Sequence, residues 1–353
     1  MTLRDHIITR IMAEGPMRLD HFMTTCLLHP TKGYYTTRQP FGQTGDFITA
    51  PEISQMFGEL IGLCLAQTWL TNGAPDRFTL AELGPGRGTL MADALRACRA
   101  VPGFLDAAQI VLVEASPILQ EQQRKVLRGH HASWINSTAQ LPDAPLYLIA
   151  NEFFDALPIR QFVPATKQWR ERLVGVMDGA LHMGLGPALP QPFLAHRLED
   201  TCDGDVVEIC TAATTVICDI AARVDTYGGA ALIVDYGDWR SLGDTFQALN
   251  NHQPVDPLVD PGNADLTAHV DFEALAQAAA PARFSKLTPQ GVFLERLGIT
   301  DRAQKLAAAL DGTALDAHVT AHRRLTHPSE MGNLFKVLGL YQNGKMPPPG
   351  LQP

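Results

Sequence analysis

The segment Thr79-Leu80-Ala81-Glu82-Leu83-Gly84-Pro85-Gly86-Arg87-Gly88-Thr89-Leu90 constrains the fold most, because an apolar run meets three glycines at alternate positions and then a helical pattern. A strand, a tight turn and a helix in that order form the ligand-binding corner of a doubly wound α/β domain. Glycine lets the backbone approach a ligand closely, and the free N–H groups of the following helix face any negative group it carries. The spacing is G-x-G-x-G rather than the G-x-G-x-x-G of dinucleotide folds, and Glu82 stands two positions before the first glycine. This pattern favours S-adenosylmethionine over a nicotinamide dinucleotide.

Three further apolar runs share one design. Gln109 to Val113 ends in Glu114, and an acid closing the second strand of such a sheet accepts hydrogen bonds from ribose hydroxyls. Leu146 to Ala150 ends in Asn151-Glu152-Phe153-Phe154-Asp155, and Ala230 to Val234 ends in Asp235-Tyr236-Gly237. Parallel strands place all these polar ends on one edge of a sheet, where ligands bind. The expected organisation is a helical region over 1–75 ending in a lid-like loop, then a Rossmann-like core over 76–240 with a β-meander inserted at about 160–190. A substrate-side region with helical additions follows over 241–345, and the Pro-rich tail 346–353 reads as disordered.

Acidic residues outnumber basic ones, 37 to 28, for a net charge of −9, the wrong balance for a general nucleic-acid binder. Cys26, Cys64, Cys98, Cys202, Cys210 and Cys218 show no metal or disulfide spacing and read as buried, reduced thiols. No apolar run approaches the roughly 18 residues of a membrane span, and the first residues lack the character of a presequence. The expected location is the bacterial cytoplasm, or the mitochondrial matrix for a processed chain.

Several segments together resemble the MidA-type S-adenosylmethionine-dependent methyltransferases, the family that includes the mitochondrial complex I assembly methyltransferase. They are His29 to Tyr35, Gly45 to Glu59, Glu82 to Gly88, Asn151 to Pro158, Asp265 to Phe272, Thr288 to Gly291 and Met331 to Lys336, in order along nearly the whole chain. The resemblance implies a class I methyltransferase fold with a mostly parallel, doubly wound sheet. It also implies S-adenosyl-L-methionine as cofactor and, in the mitochondrial members, symmetric dimethylation of an arginine in a complex I subunit. RNA or a small molecule as acceptor would keep the same fold and cofactor, as would a binding protein without turnover.

Methyl transfer needs no metal; it needs a nucleophile held in line with the sulfonium methyl. A guanidinium is a poor nucleophile because it is a delocalised cation, and carboxylates fix its plane, localise its charge and receive its proton. Glu152 and Asp155 are the carboxylates expected in that role, with Asn151 beside them as a contact to substrate or cofactor; the alternative is that one of the two acids caps the next helix and the other is solvated. Glu82, Gly84, Gly86, Gly88, Glu114 and Asp46 are expected around the cofactor. Phe47 and Glu52, in an irregular loop reading as a lid, are expected on the substrate side with Asp235, Tyr236 and Asp265. His269 is a candidate base, or a structural histidine.

Overall fold

The computed structural model describes residues 1–37 and 49–353. At its centre lies a mixed sheet of nine strands. Six of them matter for the site: β1 (Phe78–Leu83), β2 (Ala108–Val113), β3 (Ala132–Ile135), β4 (Leu146–Asn151), β5 (Gly229–Asp238) and β6 (Phe335–Tyr341). Their spatial order is β6-β5-β4-β1-β2-β3, parallel throughout except for β6, which runs antiparallel to β5. The chain builds outward from β1 through β2 to β3 and then returns to β4 on the other side of β1. That reversal opens a crevice beyond the carboxyl ends of β1 and β4, where doubly wound sheets bind ligands.

Strands β1 and β4 are buried at every position because both faces of the sheet are covered. Alternate residues serve opposite layers. Leu80, Ile110, Tyr147 and Ile149 pack with Phe57, Ile61 and Leu65 of α2 (Gln55–Thr71) and with Leu90 and Leu95 of α3 (Thr89–Cys98). Ala81, Val111, Leu148 and Ile233 pack instead with Ile217, Ile220 and Val224 of α5 (Thr211–Tyr227). Helices α2 and α3 touch backbone to backbone at Gly62, where a Cβ would stand 2.7 Å from Ala94 Cα. Each fully buried Leu or Ile contributes about 1.5–3 kcal/mol, so this two-sided core fixes the sheet edge on which the site stands.

Between β4 and β5 the chain forms antiparallel strands at Arg160–Ala165, Gln168–Met177, Ala180–Leu189 and Val207–Ile209. The N-terminal Met17–Arg18 joins the same sheet opposite Val174 and Leu173. Helix α1 (Leu19–Leu28) packs there through Leu19, Phe22 and Met23. A small sheet of Gln247–Asn250, Gln253–Val255 and Asp265–Thr267 lies beyond β5.

The tail 346–353 is not disordered as its composition predicts. Leu351 belongs to the main core cluster, the Pro349 carbonyl accepts a hydrogen bond from Cys64 Sγ, and the Gln352 carbonyl accepts one from the Lys286 N–H. A single well-placed leucine outweighs the proline-rich composition. The cysteines also differ from expectation, since Cys202 and Cys218 are exposed. No helix among the described residues is long and apolar enough to cross a membrane.

Candidate active site

The turn after β1 is built from left-handed backbone: φ is +56° at Gly84, +53° at Gly86 and +84° at Gly88, a region that side chains disfavour. At Gly84 a Cβ would also stand 2.9 Å from the Phe153 ring. Helix α4 (Pro117–Val126) braces this turn through Gln123, which is fully buried. Its Nε2 donates both to the Gly86 carbonyl at 2.8 Å and to Glu114 Oε2 at 3.1 Å, while its Oε1 accepts from Trp134 Nε1 at 2.8 Å. Glu114 Oε1 in turn accepts from the Ser116 N–H at 2.8 Å. The glycine turn and the acid of the second strand are therefore one hydrogen-bonded unit. Burial raises the Glu114 carboxyl, against the pull of those donors.

Glu52 departs from its expected place in an irregular substrate-side loop. It lies in a one-turn helix, Ala50–Ile53, and turns to the glycine corner, where it accepts from Thr89 Oγ1 at 2.5 Å and from Arg87 Nη1 at 3.2 Å. Proline at position 51 presets the helical φ, and an acid before α3 suits that helix's positive end. Asp46 and Phe47 lie outside the described residues.

A cavity of about 800 Å³ runs along the carboxyl edge of the sheet. Glu114, Gly84, Gly86, Glu152, Asp155 and Tyr236 all line it, so β2, β1, β4 and β5 each contribute a strand end. The acidic centre sits at β4. Glu152 has φ +50°, a strained backbone for a residue other than glycine, and its Oε1 accepts from the Ala50 N–H at 2.9 Å and from Asn151 Nδ2 at 3.1 Å. Burial pushes its carboxyl up to about 7. Asp155 also rises to about 7, through burial first and the neighbouring Glu152 second. No helix follows Asp155, which removes the capping alternative.

Asp235 also corrects an expectation. It is fully buried, and its Oδ2 accepts from the N–H groups of Phe153, Phe154 and Asp155 at 3.1, 2.9 and 3.3 Å, while Oδ1 accepts from the Tyr236 N–H at 3.0 Å. It shapes the turn that presents Glu152 and Asp155 rather than facing a substrate. Burial, then Asp155 and Glu152, hold its carboxyl well above the ordinary range.

Farther along the cavity, Asp265 Oδ1 accepts from the Tyr35 hydroxyl at 2.7 Å, and the Tyr236 hydroxyl accepts from Gln247 Nε2 at 3.3 Å. The His269 ring meets Tyr236 edge-on, centroids 5.3 Å apart, and its backbone N–H donates to Thr245 Oγ1. Burial and then Lys336 lower the imidazole's pKa. His269 thus lines the cavity beside Tyr236 and not against the acidic centre itself. Tyr35, Gln123 and Gln247 were not singled out by sequence; Tyr35 alone lay in a motif, His29 to Tyr35, that could have pointed to it.

Three buried oxygens in this region have no hydrogen-bond partner within the protein: Glu82 Oε2, Asn151 Oδ1 and Asp155 Oδ1. Glu82 is fully enclosed beneath the glycine turn, and burial followed by Glu114 holds its carboxyl well above the ordinary range. Unsatisfied buried acceptors are costly, so these three favour a donor or a positive charge nearby.

Residues 60–290 match the profile of the Methyltransf_28 family, which describes an S-adenosyl-L-methionine-dependent methyltransferase. The chain belongs to this methyltransferase family. It is 35% identical over 374 residues to the protein arginine methyltransferase NDUFAF7, mitochondrial, of Xenopus laevis, spanning 98% of this chain and 85% of that protein. The Homo sapiens protein of the same name is 34% identical, over 97% of this chain and 83% of its own length. A protein from Burkholderia thailandensis, crystallised with S-adenosyl-homocysteine, superposes with a TM-score of 0.82 at 29% identity, covering 96% of this chain and 91% of that one. The residues present fit such a cofactor: Gly84, Gly86 and Glu114 line one cavity, where the glycine turn would let it approach the backbone and Glu114 would accept from its ribose hydroxyls.

Proposed function

We propose that this methyltransferase modifies an arginine side chain of a protein, carrying it to symmetric dimethylarginine, and that the protein is a subunit of respiratory complex I. The observation that carries the reading is the acidic centre at β4, where the half-buried Glu152 and the buried Asp155 line one cavity with Glu114 and the glycine turn. Two carboxyls that resist ionisation side by side call for a cation, and a planar guanidinium is the side chain that pairs with two carboxylates at once. The names of the relatives support the same acceptor class, as does the family resemblance for the complex I subunit.

The bound cofactor supplies the methyl group: a nitrogen–carbon bond forms as the sulfur–carbon bond breaks, the electron pair leaves with sulfur, and the nitrogen loses a proton. The protein's part is to hold, polarise and deprotonate. Glu152 and Asp155 fix the guanidinium plane, and carboxyls poised near neutrality are matched to accept the departing proton. Asp235 holds their turn rigid through its backbone hydrogen bonds. Alignment of this kind supplies roughly 7–11 kcal/mol in well-oriented systems.

The test is methyl transfer by Glu152→Gln and Asp155→Asn, with cofactor affinity measured in parallel. Both variants should keep cofactor binding and lose turnover by roughly a hundredfold or more, the range for a positioned acid or base. Full turnover in both would refute the assignment of these carboxyls.

A further inference from the structure

The acidic turn is held from a second direction. The Asp155 carbonyl accepts from the Ala268 N–H at 2.9 Å, and the next N–H along the chain, that of His269, donates to Thr245 Oγ1 at 2.8 Å. The Thr245 hydroxyl in turn donates to Glu208 Oε2, and the Thr245 N–H donates to Glu208 Oε1 at 3.0 Å. Glu208 is buried in the inserted antiparallel sheet, where it stands opposite Gln161 and accepts from Gln161 Nε2 at 2.7 Å. A carboxyl whose oxygens take three donors has one orientation, and a hydroxyl that accepts from one neighbour while donating to another is fixed in both roles. Threonine is also β-branched and so stiff about χ1.

Thr245 closes one end of a small antiparallel ladder. Gln247 pairs there with Thr267 and Leu249 with Asp265, and the same register brings Thr245 opposite His269. Gln247, Leu249, Asp265, Thr267 and His269 all line the cavity. One hydroxyl thus ties the two strands of that ladder to each other and, through Ala268, to the turn that carries Asp155.

We propose that Thr245 is a positioning residue for methyl transfer: it fixes the backbone at 268–269 so that Asp155 keeps its place in the acidic centre, and Glu208 fixes Thr245. The inserted sheet thereby serves the reaction through hydrogen bonds. This role rests on the reading of Asp155 given above as a group that meets the acceptor. Glu114 and the glycine turn are braced separately, by Gln123, so cofactor affinity does not depend on Thr245. A displacement of about 1 Å at a reacting group costs about a hundredfold in rate, so loss of this tether registers in turnover.

Thr245→Val keeps the outline of the side chain and removes both hydrogen bonds of the hydroxyl, whereas Thr245→Ser keeps both. Transfer of label from methyl-labelled S-adenosylmethionine to extract from cells lacking the protein is counted at saturating cofactor, and S-adenosyl-homocysteine affinity is measured by calorimetry. Thr245→Val should lose roughly tenfold or more in rate with affinity changed by less than about twofold, and Thr245→Ser should recover most of the rate. Full rate in Thr245→Val, a Thr245→Ser as slow as Thr245→Val, or a loss of cofactor affinity in step with the rate would each overturn the positioning role. The count takes in label on any acceptor, so label found away from arginine would end the arginine reading alone. The carboxyl assignment fails on its own measurement, full turnover in Glu152→Gln and Asp155→Asn.

Discussion

Glu152→Gln should stabilise the ligand-free protein above neutrality while abolishing its activity. The Glu152 carboxyl stands at about 7 against an ordinary 4.5, because burial penalises its charged form. A carboxyl raised on folding favours the folded state fully below about pH 4.5, and that contribution disappears as pH climbs through 7. At about 1.4 kcal/mol per pH unit the gap amounts to about 3 kcal/mol. This is a ceiling, because Glu152 keeps partial exposure into the cavity. Glutamine retains the acceptor, since both donors, the Ala50 N–H and Asn151 Nδ2, reach the same oxygen Oε1. Removing the charge also relieves Asp155, whose carboxyl it raises. Urea unfolding of parent and variant at intervals from pH 4.5 to 8 should therefore give coincident midpoints at the acid end and a variant more stable by about 1–3 kcal/mol at pH 8. Parallel curves across the whole range would show that Glu152 ionises freely in the folded protein, and the account of a charge-starved acidic centre would fail.

Gln123→Leu leaves Glu114 Oε2 and the Gly86 carbonyl without their shared donor, at about 1–3 kcal/mol for each buried group left unpaired. Calorimetry should record S-adenosyl-homocysteine binding weakened by roughly tenfold or more, and unchanged affinity would deny Gln123 its bracing role. Asp235→Asn puts an N–H₂ donor in place of one of the two oxygens that together accept from four backbone N–H groups. It should lower kcat far more than cofactor affinity, since it acts on the turn at 153–155; steady-state kinetics with parallel calorimetry separates the two. Leu351→Ala should cost about 2–4 kcal/mol in thermal or urea unfolding, as for other buried leucines, whereas a loss under about 0.5 kcal/mol would mean the tail does not pack as described. Affinity for an arginine-containing peptide should rise with pH up to about 7 and then level off, because a cation needs Glu152 and Asp155 ionised; affinity flat between pH 5.5 and 8 would argue against pairing.

Much of the central sheet was legible because strands covered on both faces are near-continuous apolar runs, and each such run here ends in polar residues. Strand β3 was not, since Ala132–Ile135 is short and half exposed, and β6 was not, because a lone antiparallel strand from the far end of the chain has no local partner to announce it. At the site, sequence placed Glu114, Glu152 and Asp155 at strand ends but left open which way an acid there would face. Asp235 looked like a substrate ligand and turned inward to backbone N–H groups. Glu52 looked like a lid residue and turned to Arg87 and Thr89, 35 and 37 positions away. Gln123 and Tyr35 act through partners 37 and 230 positions distant, which no local pattern encodes.

The central claim is that the acidic centre at β4 receives a guanidinium. Its most direct measurement is to incubate the protein with methyl-labelled S-adenosylmethionine and extract from cells lacking it, then to hydrolyse the labelled protein fraction and separate the amino acids. The account predicts label in symmetric dimethylarginine, present with the parent protein and absent with Glu152→Gln. Label confined to RNA, small metabolites or another amino acid would contradict it.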